Sequence, residues 1–220
     1  MSYTFQFRDV FASWPFLLQG LGTTLYLSTV TMLLGLAIGV AGAAARLYGG
    51  PFLRSAVGAY VEVIRNTPLL IQLFIVFFGL PSLGLRLDAL TAALISLTIN
   101  LGAYSVEIVR AGLQAIPKPQ IEAGHSLGLS GVQVFRYIII MPALKLMFPA
   151  LASQFILLML ATSIASQISV PELFHAASII QSRTFRDFEV YSVIAVLYLA
   201  LALTLRGVFA TIYKLAFDQR

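Results

Sequence analysis

From Val10 to Ala45, and again from Leu146 to Pro171, the chain carries no Asp, Glu, Lys or Arg. Each run exceeds the roughly 20 apolar residues that a helix needs to cross a hydrocarbon core about 30 Å thick, at about 1.5 Å of rise per residue. A water-soluble domain has about 25% charged residues with which to cover its surface. Here only 10% of 220 residues are charged, and 59% are hydrophobic. The expected class is therefore an all-α integral membrane protein. No Ser/Gly-rich or charged linker interrupts residues 1–220, so a single transmembrane domain is expected.

Five stretches qualify as spans. The first starts near Phe16 within the charge-free run, and the second covers about Ala59–Leu80. The third covers about Ala89–Val109, the fourth lies within Leu146–Pro171, and the fifth runs from about Val190 to Ile212. Short cytoplasmic loops are enriched in Lys and Arg. One side of the five-span arrangement collects Arg46, Arg54, Arg110, Lys118, Arg136, Lys145, Lys214 and Arg220, and the other holds Arg8, Arg86, Arg183 and Arg186. This asymmetry puts the N-terminus outside, the C-terminus in the cytoplasm, and the segment from Arg110 to Lys145 in the cytoplasm. Residues 1–10 contain Arg8 and Asp9 and no early apolar core, so no cleaved signal peptide is expected.

The net charge of +5 does not indicate nucleic acid, because the basic residues are scattered singly rather than gathered in a stripe. The chain has no cysteine, which excludes disulfides, zinc-thiolate sites and a cysteine nucleophile. His125 lies in the polar cytoplasmic segment, and His175 has no second ligand at metal spacing, so no metal site is expected. No catalytic constellation of nucleophile, base and orienter is visible. Gly35, Gly39 and Ala43 stand in small-xxx-small spacing in the first span, which lets another helix approach closely. A seam inside the fold is the simpler reading of that motif.

The cytoplasmic segment, about residues 117–130, is bounded by turn formers. Pro117 and Pro119 break a helix arriving from the third span, since proline lacks an amide hydrogen and disfavours helix in the residue before it. Gln120 to Leu127 then form a short helix that Gly128 ends. Held between rigid turns, such a helix can carry motion from a partner into the spans; as physics alone it is equally an amphipathic surface loop.

Glu122-Ala123-Gly124, with Gly128 six residues after the glutamate, resembles the EAA loop of ATP-binding-cassette (ABC) importer permeases, whose coupling helix sits in a groove of the ATPase. The likeness extends from about Phe16 to Tyr213. Arg65-Asn66-Thr67-Pro68-Leu69-Leu70-Ile71-Gln72-Leu73-Phe74 resembles a signature of the polar amino acid permeases, as does Gly102-Ala103-Tyr104 followed by Glu107-Ile108-Val109-Arg110. Gln120-Ile121-Glu122-Ala123, Ser126-Leu127-Gly128, Thr162-Ser163 and Pro171-Glu172-Leu173 follow in the family's order. Five positions depart from its pattern. Pro119 replaces a glycine and Gly124 an alanine; Pro142 stands one residue late; Leu160 and Ala161 occupy places that are often Lys and Asp.

The resemblance implies the type I importer permease fold in a bacterial inner membrane, moving a polar amino acid or similar small polar solute. It also implies Gln120, Glu122, Ala123, Gly124, Ser126, Leu127 and Gly128 as the ATPase-coupling residues. The chain has no Gly-x-x-x-x-Gly-Lys-Ser/Thr loop, so ATP and Mg are expected in a partner. The implied partners are two ATPase subunits, a second permease chain (a copy or a homologue), an external solute-binding protein and membrane lipid, with no nucleic acid. A permease for another solute class, a small channel and a membrane-embedded enzyme are the rival readings, but neither a pore-lining ring nor an enzyme's constellation is present.

Ionisable residues within spans are costly and face the interior or a water-filled path. Glu107 and Arg110, three apart, can pair on one helix face. With Arg65, which can snorkel to the same interface, they are assigned to structure or gating. A polar solute needs hydrogen-bonding groups partway across the membrane. Gln72, Asn100, Tyr104, Thr162, Ser163, Ser166 and Gln167 are the candidates, and the last four form the favoured cluster. Each could instead bond its own helix or bridge to a neighbour.

Overall fold

In the computed structural model, which describes residues 4–217, every regular element is helical. α1 (Arg8–Ala12) leads into α2 (Trp14–Tyr48), followed by α3 (Pro51–Arg65) and α4 (Leu69–Phe74). α5 is Ala89–Gln114, α6 is Lys118–Ser126, α7 is Gly131–Val134, α8 is Ile140–Ala161, α9 is Leu173–Thr184 and α10 is Asp187–Phe217. Four segments are long and apolar enough to cross a membrane: Trp14–Tyr48, Ala89–Gln114, Gly131–Ile168 and Asp187–Phe217. A bent pair, Pro51–Arg65 with Leu69–Leu83, makes a fifth crossing if it counts as one span.

The bent pair corrects the expected second span. The helix starts at Pro51, not near Ala59, and turns through 106° between Arg65 and Leu69. Pro68 has no amide hydrogen to donate and disfavours helix at Thr67. The side chains of Asn66 and Thr67 donate back to the carbonyls of Glu62 and Val63, each at 2.8 Å. The Gln72 amide donates to the carbonyls of Ile64 and Thr67, also at 2.8 Å, and so satisfies acceptors that the break would otherwise orphan.

The fourth span also starts earlier than expected. α7 runs through a π-helical turn at Phe135–Ile139 into α8, and α8 continues as a 3-10 segment at Thr162–Ile168. The resulting rod of 38 residues extends roughly 57 Å at about 1.5 Å per residue, well beyond a hydrocarbon core of about 30 Å.

α2 and α5 form the centre of the bundle, and glycines set their separation. A Cβ at Gly35 would lie 2.7 Å from Leu101 Cδ2, and one at Gly39 would lie 3.0 Å from the backbone carbon of Ser105. The small-residue motif is thus a seam inside the fold. A second cluster, including Val10, Leu17, Leu173, Ile180 and Val190, packs α9 against α2 and α10. At its centre Glu172, fully buried, caps α9 by accepting from the amides of Phe174 (2.9 Å) and His175 (2.7 Å), and it also accepts from the Tyr198 hydroxyl (2.9 Å). Asp88 caps α5 in the same manner, and hydrogen bonds from Thr91 hold its carboxyl below the ordinary value.

α10 is almost bare. Val196, Leu199 and Leu203 are 63%, 58% and 56% exposed, an apolar surface that water would not tolerate and lipid does. Arg220, counted in the charge asymmetry, lies outside the described residues.

Candidate functional site

α6 is a short helix whose core contact depends on a missing side chain. Gly124 is buried, and a Cβ there would press into the Ile138 side chain and lie 3.2 Å from Val134 Cγ2. The departure from alanine at position 124 thus matches a bulky isoleucine on the facing turn. Pro117 caps the helix with extended backbone, and the helix includes Lys118 and Pro119 in its first turn. That corrects the expected start at Gln120. Pro119 does not break α6, because a first-turn amide has no intrahelical partner to lose. Ile116 anchors the entry in the core, and α5 has already ended at Gln114.

Gly128 shapes the exit. Its φ of 80° lies in the left-handed region. Its amide donates to the His125 carbonyl at 2.9 Å, and the Leu129 amide donates to the Gly124 carbonyl at 3.2 Å. This pair of bonds is the Schellman arrangement that closes a helix with glycine just past its end. Two residues on, Ser130 and Gln133 form a reciprocal capping box that opens α7. The turn between α6 and the rod is therefore held from both sides. Sequence reasoning missed the capping box, although the Ser-x-x-Gln spacing was there to signal it.

Of the residues expected to couple to an ATPase, Gln120, Glu122, Ala123, Ser126, Leu127 and Gly128 are exposed and Gly124 faces the core. Ser126 donates its hydroxyl to the Glu122 carbonyl at 2.9 Å. Leu127 (82% exposed) and Val132 (78%) add two bare apolar side chains at the same tip.

Glu107 and Arg110 pair as their spacing suggests, through Arg110 Nε at 3.2 and 3.3 Å from the carboxylate oxygens and a further bond from Nη2. The structure adds Arg46, whose Nη1 donates to Glu107 at 2.8 Å and ties the end of α2 to α5. The sequence showed Arg46 only as a topological charge, since sixty-one positions separate it from Glu107. Arg65 sits over the Tyr104 ring, 5.1 Å from its centroid.

Among the candidate path residues, Gln72 is buried and spends its amide on the α3–α4 break, while its carbonyl oxygen accepts from Asn100 at 3.1 Å. Thr162 is fully buried and donates to the Met159 carbonyl at 2.6 Å. Ser163 and Ser166 donate to the carbonyls of Leu160 (2.8 Å) and Ser163 (2.7 Å) and keep lone pairs free to accept. Gln167 is exposed, with one long contact to Ser166 Oγ at 3.4 Å. Ile164 and Ala165 pack the 3-10 segment against Leu69, Leu73 and Leu97. The broken second span, α5 and the end of the rod thus converge. α6 sits at one end of the rod and Ser163, Ser166 and Gln167 at the other.

The family described as binding-protein-dependent transport system inner membrane component matches residues 34–220. The probable amino-acid ABC transporter permease protein YckA of Bacillus subtilis is 37% identical over 212 residues, covering 96% of this chain and 93% of its own. The glutamine transport system permease protein GlnP of Escherichia coli is 37% identical over 203 residues, covering 91% and 93%. The L-cystine transport system permease protein TcyB of B. subtilis is 38% identical over 170 residues, covering 77% and 73%. A crystal structure of an amino acid ABC transporter with histidines superposes with a TM-score of 0.90 at 36% identity, covering 96% of this chain and 99% of the other. An inward-facing MetNI methionine ABC transporter shares the fold, with a TM-score of 0.75 at 21% identity over 93% and 98%.

Proposed function

This chain belongs to the family of binding-protein-dependent transport system inner membrane components, and from that premise we propose that it is the permease subunit of an importer for a polar amino acid. It is a transport subunit, and the ATPase is a separate one. The observation that carries the reading is the rod itself: the turn at Gly128–Ser130, held from both sides, joins the coupling helix to one continuous helical element, Gly131–Ile168, whose far end holds Ser163, Ser166 and Gln167. A displacement of α6 by nucleotide-driven closure of a partner ATPase becomes a displacement of the path-lining end. ATP and Mg reside in two such partner subunits. A second permease chain completes the passage, and a solute-binding protein delivers the amino acid from outside.

In the path, Ser163, Ser166 and Gln167, with Asn100 and Tyr104, offer acceptors and donors for an amino acid's ammonium, carboxylate and side chain. Gln72 and Thr162 position these groups from behind. Arg65, Glu107, Arg110 and Arg46 brace the spans next to the coupling segment and serve as a gating frame. The substrate class follows from the relatives named for amino acids, glutamine and cystine. The assembled transporter, reconstituted in proteoliposomes with its binding protein, should import one or a few polar amino acids, with ATP hydrolysis rising in parallel. Import of a sugar or an inorganic ion, with no amino acid stimulating hydrolysis, would overturn this assignment.

The chain is oriented with its N-terminus outside and its C-terminus in the cytoplasm of a bacterial inner membrane. Reporter fusions after Gly50 and after Ala115 should both read as cytoplasmic, and a fusion near Ser182 should read as external. Opposite signals would reverse the topology and remove α6 from the reach of an ATPase.

A further inference from the structure

We infer that the groove between α8 and α10 is a binding site for an anionic phospholipid. It has a volume of about 820 Å³ and is lined by Phe148, Ser153 and Leu157 from one helix and by Arg206, Tyr213 and Lys214 from the other. That volume falls within the roughly 300–1,000 Å³ of small-molecule sites. Apolar walls suit acyl chains, but any lipid tail would satisfy them. The two cations give the site its selectivity.

Arg206 lies inside an apolar span, eleven residues before the end of α10 at Phe217. An arginine at such depth is costly in lipid unless it meets a partner or a polar path. Among the described residues, neither Arg206 nor Lys214 has an acidic partner, and the described part of α10 beyond Glu189 has no Asp or Glu. α8 has no acidic residue either. On α10 the groove-lining residues Arg206, Ala210, Tyr213 and Lys214 recur at intervals of four, three and one, which places them on one helical face. Lys214 stands about two turns, or roughly 12 Å, closer to the end of the helix than Arg206. A phosphodiester seated there would meet Lys214 directly and Arg206 from below, while its chains lie against Phe148 and Leu157.

Other groups at this helix end are engaged within the chain. Lys145 Nζ donates to the Phe217 carbonyl at 3.4 Å, and Phe148 packs edge-on against Phe209 and Phe217. Arg206 and Lys214 are therefore the charges left over for a ligand. Basic pockets between transmembrane helices bind anionic headgroups by this pairing of charge and apolar wall. Because the groove flanks the rod that carries α6, a bound lipid would sit beside the moving element. The proposed topology makes the leaflet concerned the cytoplasmic one, but the site itself does not depend on it.

The test uses the intact transporter complex, stripped of lipid in a non-ionic detergent and titrated with dioleoyl phosphatidylglycerol or, as a neutral control, dioleoyl phosphatidylcholine. Bound lipid is counted by native mass spectrometry. Phosphatidylglycerol should bind more tightly than phosphatidylcholine, and R206Q and K214Q should each weaken it by about fivefold. L157W, at an exposed wall position, should evict both lipids while the complex elutes unchanged. Equal binding of the two lipids, or phosphatidylglycerol binding untouched by the R206Q/K214Q double variant, would overturn the proposal. So would efficient disulfide crosslinking of S153C to another permease chain in native membranes, since the groove would then be a seam between subunits.

Discussion

Gly128→Val is expected to leave the permease inserted and folded while lowering transport at least about tenfold, together with solute-stimulated ATP hydrolysis. Gly128 occupies φ 80°, where a β-branched residue is a steric outlier. Holding a non-glycine residue there costs on the order of 1–3 kcal/mol. Each step of about 1.4 kcal/mol off a productive geometry corresponds to about a factor of ten in rate. A Cβ at this position would meet nothing within 4 Å in this chain, so the damage is conformational. The turn escapes strain by breaking the Gly128–His125 and Leu129–Gly124 bonds, which re-aims α6 relative to the rod.

A conservative variant separates that cause from a partner's close approach. Gly128→Asn tolerates the left-handed region and should restore most transport if backbone conformation is the issue. If the asparagine variant is as inactive as the valine one, the ATPase surface must pack directly on the glycine. Glu122→Gln, which removes an exposed charge without touching the turn, should have a smaller effect in the same direction. Insertion, ATPase association and transport should be measured side by side. Wild-type transport and stimulation in both Gly128→Val and Glu122→Gln would show that α6 is a surface feature only.

Gly39→Leu should destabilise the bundle markedly. The backbone of Ser105 lies 3.0 Å from where the first added carbon would stand, and backbone cannot rotate away as a side chain can. Overpacking by a few methylenes costs about 1–3 kcal/mol when neighbours can adjust; against fixed backbone the upper end is expected. At about 2 °C per kcal/mol for a chain of this size, the melting temperature should fall by at least about 6 °C. The yield of monodisperse protein from the membrane should fall sharply. Gly22→Leu is the matched control, because nothing lies within 4 Å of its added Cβ. Equal losses in the two variants would mean that α2 suffers from any bulk, and the seam would have no special status.

The polar groups along this seam show what glycine packing entails. Thr31, on α2, and Thr98 and Ser105, on α5, have buried hydroxyls without a hydrogen-bond partner.

Charge-free runs longer than the hydrocarbon core allowed the sequence to determine a helical membrane protein, because length and solvation are local requirements of the chain. It also determined where α6 stops, because Gly128, lacking a Cβ, readily takes the left-handed conformation that closes a helix. The pairing of Glu107 with Arg110 was legible for the same reason, as three residues along a helix are neighbours by construction. The path candidates could be identified only as polar residues in apolar surroundings. Which of them are spent internally was decided by the folded backbone: Gln72 is consumed by the break at Pro68, and Thr162 donates to the Met159 carbonyl of its own helix. Arg46 bracing Glu107, Glu172 joining α9 to Tyr198, and the continuity of the rod from Gly131 to Ile168 are of the same kind. A sequence specifies what each segment can do in lipid, but only the packed bundle decides which groups satisfy one another and which remain free for a solute, a partner or a lipid.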